Sequence, residues 1–371
     1  MDRASMDGRV ARVRALMSER GYDAVVLRNN PDLRWILGCE RTFDFELAHT
    51  AFITQDDLWL HTDGRYFNTF HEKLGPDSPW HIDMDTIDPA LWAAQHAYKT
   101  RSRIVGVEDT LQLSFFDAFK RYLLDTSIAC LCPRMHGDIL DLRMSKDKPE
   151  IDAMKHAQTI TDMGFTHMCD FIRPGMTELD LRVELDNFML SHGADALAFD
   201  TICLAGPDGA NPHGQPSARK IAQGDMIVMD FGAAWGDYHT DMTRTVCVGT
   251  PSAEAKKVYD TVRHAQKAVE DTLKAGVLGS DMHALAASII DEAGYGAYFT
   301  HGLGHGVGLE IHERPYLRLE YTKPLPENSV VTVEPGIYLP GRFGVRIEDF
   351  GLVTASGFEL FTESTHELVC L

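Results

Sequence analysis

The chain has no basic excess. Its 371 residues carry 55 acidic and 35 basic side chains, a formal charge of −20. Such a surface repels phosphate backbones and anionic lipid, so neither nucleic acid nor membrane is an expected partner. Long apolar runs are missing as well, none approaching the roughly 20 residues that cross a bilayer. The opening Met-Asp-Arg-Ala-Ser-Met-Asp-Gly-Arg-Val has no apolar segment of the kind found in a secretory leader. Cysteines are few, odd in number and scattered (Cys39, Cys130, Cys132, Cys169, Cys203, Cys247, Cys370), and Cys130 with Cys132 lacks a second pair to make a zinc knuckle. Reduced thiols in a cytoplasmic protein are therefore expected. Two catalytic signatures are absent too. Without His-Glu-x-x-His a helical zinc protease is excluded, and without Gly-x-Ser-x-Gly so is a serine nucleophile elbow. The stretch from His301 has glycine at every second position (Gly302, Gly304, Gly306, Gly308), which is not the G-x-G-x-x-G dinucleotide spacing.

What is present is an ordinary globular composition, 44% apolar and 24% charged, long enough for two domains. The first part alternates helix and strand periodicities. Val10, Val13, Leu16 and Met17 predict a helix over Asp7–Arg20, and Ala24–Leu27 reads as a buried strand. Ala51–Thr54 and Leu58–His61 read as a hairpin, Ile104–Val107 as a strand, and Phe115–Leu124 as an amphipathic stretch. The polar, proline-containing run Met144–Pro149 then marks a boundary, giving an N-terminal α/β domain, 1–143, and a second domain, 144–371. A long helix should start after Pro149, and another after Thr177, ending at Gly193. Two more are expected over Ala253–Ala275 and from an N-cap at Ser280 to Gly294.

The second domain contains an internal repeat. Gly224-Asp-Met-Ile-Val-Met-Asp230-Phe-Gly232 aligns with Asn328-Ser-Val-Val-Thr-Val-Glu334-Pro-Gly336, and each is followed by a returning strand with a further acid, Asp241 or Glu348. This suggests two pseudo-equivalent halves. An acid ending a buried apolar strand is costly unless paired or bound to a cation. Four such carboxylates around one cavity repel one another, and two divalent ions would balance them. His305, between Gly304 and Gly306, is the imidazole candidate for an oxygen-rich site suited to Mn²⁺, Co²⁺ or Zn²⁺. The surrounding glycines argue against a helix through His301, His305 and His312, and allow close backbone approach.

The local strings Val-Met-Asp230-Phe-Gly, His-Thr-Asp241-Met-Thr-Arg-Thr, Gly-His305-Gly-Val-Gly-Leu-Glu-Ile-His312-Glu, Val-Glu334-Pro-Gly and Gly-Val-Arg-Ile-Glu348-Asp resemble the pita-bread metallopeptidases. The prolidase and aminopeptidase P branch is most similar, and the first domain resembles the creatinase-type N-terminal domain of that branch. The resemblance implies an α+β fold and a homodimer that cleaves Xaa-Pro peptides with two divalent ions, Mn²⁺ in first place. It implies that Asp241 and Glu348 bridge the metals, that Asp230 binds one, and that His305 with Glu334 binds the other. A metal-bridging hydroxide would be the nucleophile, Glu334 the proton shuttle, and His213 and His312 the groups facing the scissile amide. His301 would line the pocket, and Arg346 would bind substrate or orient Glu348.

Prolidase-type relatives often carry an arginine just after His-Glu-x-Pro to hold a dipeptide's carboxylate. Tyr316 stands there in this chain, with Arg314 and Arg318 nearby, which leans toward aminopeptidase P over prolidase. Methionine aminopeptidase, metal-free creatinase-type hydrolysis and a non-catalytic scaffold are the other readings. Glu46, His49 and Arg65 resemble positions near dimer contacts, with solvated surface the expectation for each.

Overall fold

The computed structural model describes residues 3–126 and 129–371, and the chain divides into two compact units, Met1–Arg143 and Met144–Leu371.

In the first unit, helix α1 (Arg3–Arg20) precedes strand β1 (Ala24–Leu27) and α2 (Asn30–Leu37). The hairpin β2 (Thr50–Thr54) and β3 (Leu58–His61) follows, then α3 (Phe67–Leu74), β4 (Trp80–Asp83), α4 (Pro89–Thr100), β5 (Val105–Val107), α5 (Leu113–Asp125) and α6 (Asp138–Arg143). The strands form one mixed sheet in the order β4-β3-β2-β1-β5. Its strands are mostly apolar, buried along β1, β2, β3 and β5, and α4 and α5 pack on them through Trp92, Ala93, Ala97 and Phe119. His49 is fully buried here: its Nδ1 lies 2.9 Å from Thr62 Oγ1 and its ring is boxed edge-on by Phe43, Tyr66 and Phe70. The solvated position expected for it is thus replaced by an aromatic core, whereas Glu46 and Arg65 do pair on the surface, at 2.6 Å.

The second unit opens with α7 (Lys148–Phe171), whose start is fixed by a capping box between Asp147 and Glu150. Thr177 and Asp180 form a second box at α8 (Glu178–Ser191); caps of this kind contribute about 1 kcal/mol each. Strands β6 (Ala196–Leu197), β7 (Ile202–Ala205), β8 (Met226–Phe231), β9 (Ala233–Trp235), β10 (Tyr238–His239) and β11 (Met242–Cys247) complete the first half. The second half repeats the plan. Helices α9 (Ala253–Thr272) and α10 (Gly279–Glu292) precede β12 (Gly304–Gly306), β13 (Glu313–Leu317), β14 (Val330–Val333), β15 (Gly336–Leu339), β16 (Phe343–Arg346), β17 (Asp349–Val353) and β18 (Phe358–Leu360). The larger sheets run β11-β8-β7 and β13-β12-β14-β17-β18. Each has its own apolar core: Leu181, Leu185, Met189 and Phe231 in one half, Val262, Ala286, Ile290 and Val333 in the other.

Helix α10 departs from expectation. It begins at Gly279, after Leu278 and without a side-chain cap, so Ser280 lies inside the first turn. The Ser280 N–H is taken by the Tyr321 carbonyl at 3.0 Å, and a Cβ on Gly279 would stand 2.1 Å from the Tyr316 carbonyl oxygen. A neighbouring backbone segment does the work that the sequence assigned to a hydroxyl.

Candidate metal centre

Two antiparallel strand pairs present the acids. In β8–β11 Asp230 is the Cα partner of Thr243, and Asp241 lies just before β11. In β14–β17 the last partners are Val333 and Asp349, and Glu334 and Glu348 lie one residue beyond them. The corresponding ends of the two pairs therefore converge. His305 enters from β12, where a Cβ on Gly304 would meet the Thr332 carbonyl oxygen at 2.1 Å and one on Gly306 the Arg314 carbonyl oxygen at 2.3 Å. These contacts explain the alternating glycines: the histidine sits in a strand with no room for side chains beside it.

The resulting cluster is tight. Ligand-capable atoms of Asp241, His305 and Glu348 all lie within 4.8 Å of one another. His305 Nε2 is 3.2 Å from Glu334 Oε1 and 3.5 Å from Asp241 Oδ2. Its Nδ1 faces the Gly306 carbonyl at 3.1 Å, an arrangement that turns Nε2 toward the acids. Thr332 Oγ1 accepts from the His305 N–H at 3.1 Å and donates to Glu334 at 3.2 Å. Thr243 Oγ1 donates to Glu348 Oε2 at 2.7 Å and accepts from Arg346 Nε at 2.9 Å.

Charge is out of balance. Among the described residues, Arg346 is the one arginine bonded to the four acids, donating to Asp230 Oδ2 at 2.5 Å. Burial and the neighbouring Glu348, Asp230 and Glu334 push the Asp241 carboxyl well above the carboxylate range. Burial with Glu334 and Asp230 does the same to Glu348. Burial works against a charged His305, but its hydrogen bond and attraction to Glu334 prevail and raise it. Burial likewise opposes ionisation of Glu334, yet His305 pulls it down to about 2. Protons are thus drawn in where positive charge is wanted. Asp230 Oδ1 and Glu348 Oε1 are buried without a hydrogen-bond partner among the described residues. Orphaned oxygens, one imidazole and surplus negative charge are the donor set of divalent ions, so these residues fit two such ions.

The five candidate ligands, together with His213, His301, His312 and Arg346, line one pocket of about 670 Å³. His213 and His312 expose their rings to it. The His312 ring packs edge-on against His305 at 4.3 Å, and burial and His305 keep it below the usual imidazole range. His301 is held more firmly, with Nε2 2.9 Å from Tyr338 Oη and Nδ1 2.7 Å from the Gly302 carbonyl.

Arg346 does not meet Glu348. It reaches Asp230, Thr243 and Tyr338 Oη, the last at 2.8 Å. The i, i+2 same-face rule fails because β16 ends at Arg346 and Glu348 lies outside both strands, just before β17. Sequence reasoning missed Thr243, Thr332 and Tyr338. Two signals were available: both threonines lie two residues from a ligand on the same strand path, and Tyr338 shares the hairpin that carries Arg346.

The profile of Metallopeptidase family M24 matches residues 152–355, and that of the Creatinase/Prolidase N-terminal domain matches residues 9–144. The chain belongs to metallopeptidase family M24: it is a hydrolase with a pita-bread catalytic domain that follows a creatinase-type domain in the chain. The chain is 32% identical to the Xaa-Pro dipeptidase of Pyrococcus horikoshii, across 98% of this chain and 99% of that one. Among solved structures, the Xaa-Pro dipeptidase from Bacillus anthracis superposes with a TM-score of 0.92 at 36% identity, covering 99% of this chain and 100% of that chain. The X-Pro aminopeptidase from Thermotoga maritima gives 0.85 at 32% identity, covering 98% and 100%.

Proposed function

We propose that the protein hydrolyses Xaa-Pro peptide bonds with two divalent ions, Mn²⁺ first among the candidates, and that dipeptides are its preferred substrates. The observation that carries the reading is the set Asp230, Asp241, His305, Glu334 and Glu348, buried or nearly so, with two orphaned oxygens, opening onto a pocket lined by three histidines. Asp241 and Glu348 would bridge the ions, Asp230 would hold one, and His305 with Glu334 the other. When bound, the ions supply Lewis acidity and lower the pKa of water toward neutrality. Glu334 accepts the proton released during attack and passes it to the leaving proline nitrogen. His312, neutral at pH 7, and His213 donate hydrogen bonds to the oxygen of the scissile amide as charge develops there. His301 is fixed by its two bonds and shapes the wall. Arg346 acts by holding Asp230 in place.

Preference for dipeptides is supported by the relatives named as Xaa-Pro dipeptidases and by Arg318. Its half-exposed guanidinium lies 4.3 Å from the centre of the Tyr316 ring at the pocket, with Nε 3.9 Å from Glu320, and would offer a positive charge to a free proline carboxylate. The aminopeptidase P reading is favoured instead by Tyr316 itself, in place of the arginine, and by the Thermotoga maritima structure. The deciding assay compares Xaa-Pro, Xaa-Pro-amide and Xaa-Pro-Yaa with Mn²⁺. A dipeptidase shows the lowest KM for the free dipeptide; equal or better use of the tripeptide selects aminopeptidase P, and no hydrolysis of any of them rejects the reading.

We further assign the first unit a homodimer contact and a role in substrate access, supported by Phe45, 92% exposed beside the Glu46–Arg65 pair. A monomer mass in sedimentation equilibrium removes this assignment. A cytoplasmic location is supported by seven free cysteines.

A further inference from the structure

Behind the metal centre lies a second buried polar group, in which Asp349 accepts three bonds. Arg244 Nη2 donates to its Oδ1 at 2.8 Å, Gln266 Nε2 to its Oδ2 at 2.9 Å, and His366 Nε2 lies 2.6 Å from the same Oδ2. Asp349 and Gln266 are both fully buried. The carboxamide of Gln266 makes two further bonds. Nε2 also donates to the Val333 carbonyl at 3.2 Å, and Oε1 accepts from Arg263 Nη1 at 2.8 Å.

Both donor bonds therefore end on the two residues that precede and follow the metal-facing glutamates. Val333 is bonded through the chain to Glu334, and Asp349 to Glu348. They are also Cα partners, the last paired position before the two strands part. A single side chain from α9 thus spans the point at which the glutamates leave the sheet. The Arg263 bond fixes which end of the amide carries the donors, so the bracket has one orientation. Arg244 continues the tie to the other half, donating to the Glu348 carbonyl at 2.5 Å and the Thr243 carbonyl at 3.0 Å.

Resting on the dinuclear reading above, we propose that Gln266 is a positioning residue for the metal centre, setting the separation of Glu334 and Glu348 from behind. It touches neither substrate nor metal. The chelated protein is titrated with Mn²⁺ by calorimetry for the wild type, Gln266→Met and Gln266→Glu. Val262→Ala, a core change one turn away on α9, serves as the control for general loosening. The Gln266 variants are expected to bind Mn²⁺ about 10–100-fold more weakly and to lose kcat more than KM. Val262→Ala should lower Tm while keeping wild-type Mn²⁺ affinity. Gln266→Glu keeps the shape and the acceptor for Arg263, so a poorly folded Gln266→Met does not remove the test. Wild-type Mn²⁺ affinity in a Gln266 variant, or an equal loss in Val262→Ala, overturns the proposal alone. A wild type that takes up no Mn²⁺ overturns the dinuclear reading and this proposal with it.

Discussion

Glu348 and Asp349 are neighbours in the chain, yet they belong to opposite kinds of buried cluster. Glu348 joins Asp241 and His305 in a group whose ligand atoms lie within 4.8 Å, and Asp349 joins Glu270 and His366 in another of the same compactness. By geometry alone both are candidate metal sites. Counting charge separates them. With Asp230 and Glu334 beside it, the first has four acids and one bonded arginine; the second has two acids, with Arg244 on Asp349 at 2.8 Å and Arg263 on Glu270 at 3.1 Å. The hydrogen bonds agree, since Asp349 accepts three while Glu348 keeps an orphaned oxygen. Acidity follows: burial and like charges drive Glu348 upward, whereas for Asp349 burial is outweighed by Arg244 and His366, which hold it below its ordinary value. A buried carboxylate supplied with donors is architecture; one left without them calls for a cation.

The comparison breaks most visibly under substitution of one member from each cluster. Asp241→Asn should abolish peptide hydrolysis while leaving the metal-free Tm unchanged or raised, because a carboxylate repelled by its neighbours is removed. Arg244→Met should do the reverse first, taking the paired arginine from the buried Asp349 at a cost of about 3–5 kcal/mol. At roughly 2–4 °C per kcal/mol for a domain of this size, the loss is plain in thermal unfolding. If Asp241→Asn proved the more destabilising in metal-free protein, the distinction between the clusters would be wrong.

A smaller effect, specific to the first cluster, appears with pH. In chelated protein Asp241 and Glu348 have folded pKa values above their unfolded values of about 4, and His305 is raised above about 6.5. Glu334, held down to about 2, acts in the opposite sense only below about pH 4.5. Above that the folded state binds more protons than the unfolded state, so stability from this site falls as pH rises. Metal ions need the deprotonated groups and displace those protons. The gap in Tm between Mn²⁺-loaded and chelated protein should therefore widen from about pH 5 to pH 8. Metal uptake should also release protons, seen as a buffer-dependent binding enthalpy. A gap that narrows with rising pH would contradict the assignment.

The first cluster was legible in the sequence because each member has a local signature. Asp230 and Glu334 end apolar strands in a repeated frame, and His305 sits between glycines that no other residue could replace. The same local logic located the long helix after Pro149 and the helix after Thr177, where capping residues are contiguous. It failed where partners are distant in the chain. Arg346 was aimed at Glu348 by alternation, but its partner Asp230 lies 116 positions away. Gln266 carries no pattern at all. It is one polar residue on an amphipathic helix, and its meaning comes from Val333 and Asp349, which the fold brings to it. His49 was misplaced for a different reason: the rings that enclose it, Phe43, Tyr66 and Phe70, are near in the chain but follow no strand or helix period.

The smallest effect tests how the second cluster disposes of its remaining charge. Burial and the adjoining Asp349 raise the Glu270 carboxyl to about 8, opposed by Arg263, so at neutral pH it holds a proton shared with Asp349. Gln266, Arg244 and His366 complete the ring of groups around that pair. Glu270→Gln keeps the shape and can donate an amide hydrogen where the carboxyl donated its proton. A folded-state pKa above the unfolded value of about 4.3 means that wild-type stability declines with rising pH until about pH 8. The variant has no such proton to lose. Its Tm should match the wild type near pH 5 and exceed it at pH 8, with Mn²⁺ affinity little changed. A variant less stable at pH 8 would mean that Glu270 serves there as an anion for Arg263, and that the second cluster keeps both of its carboxylates charged.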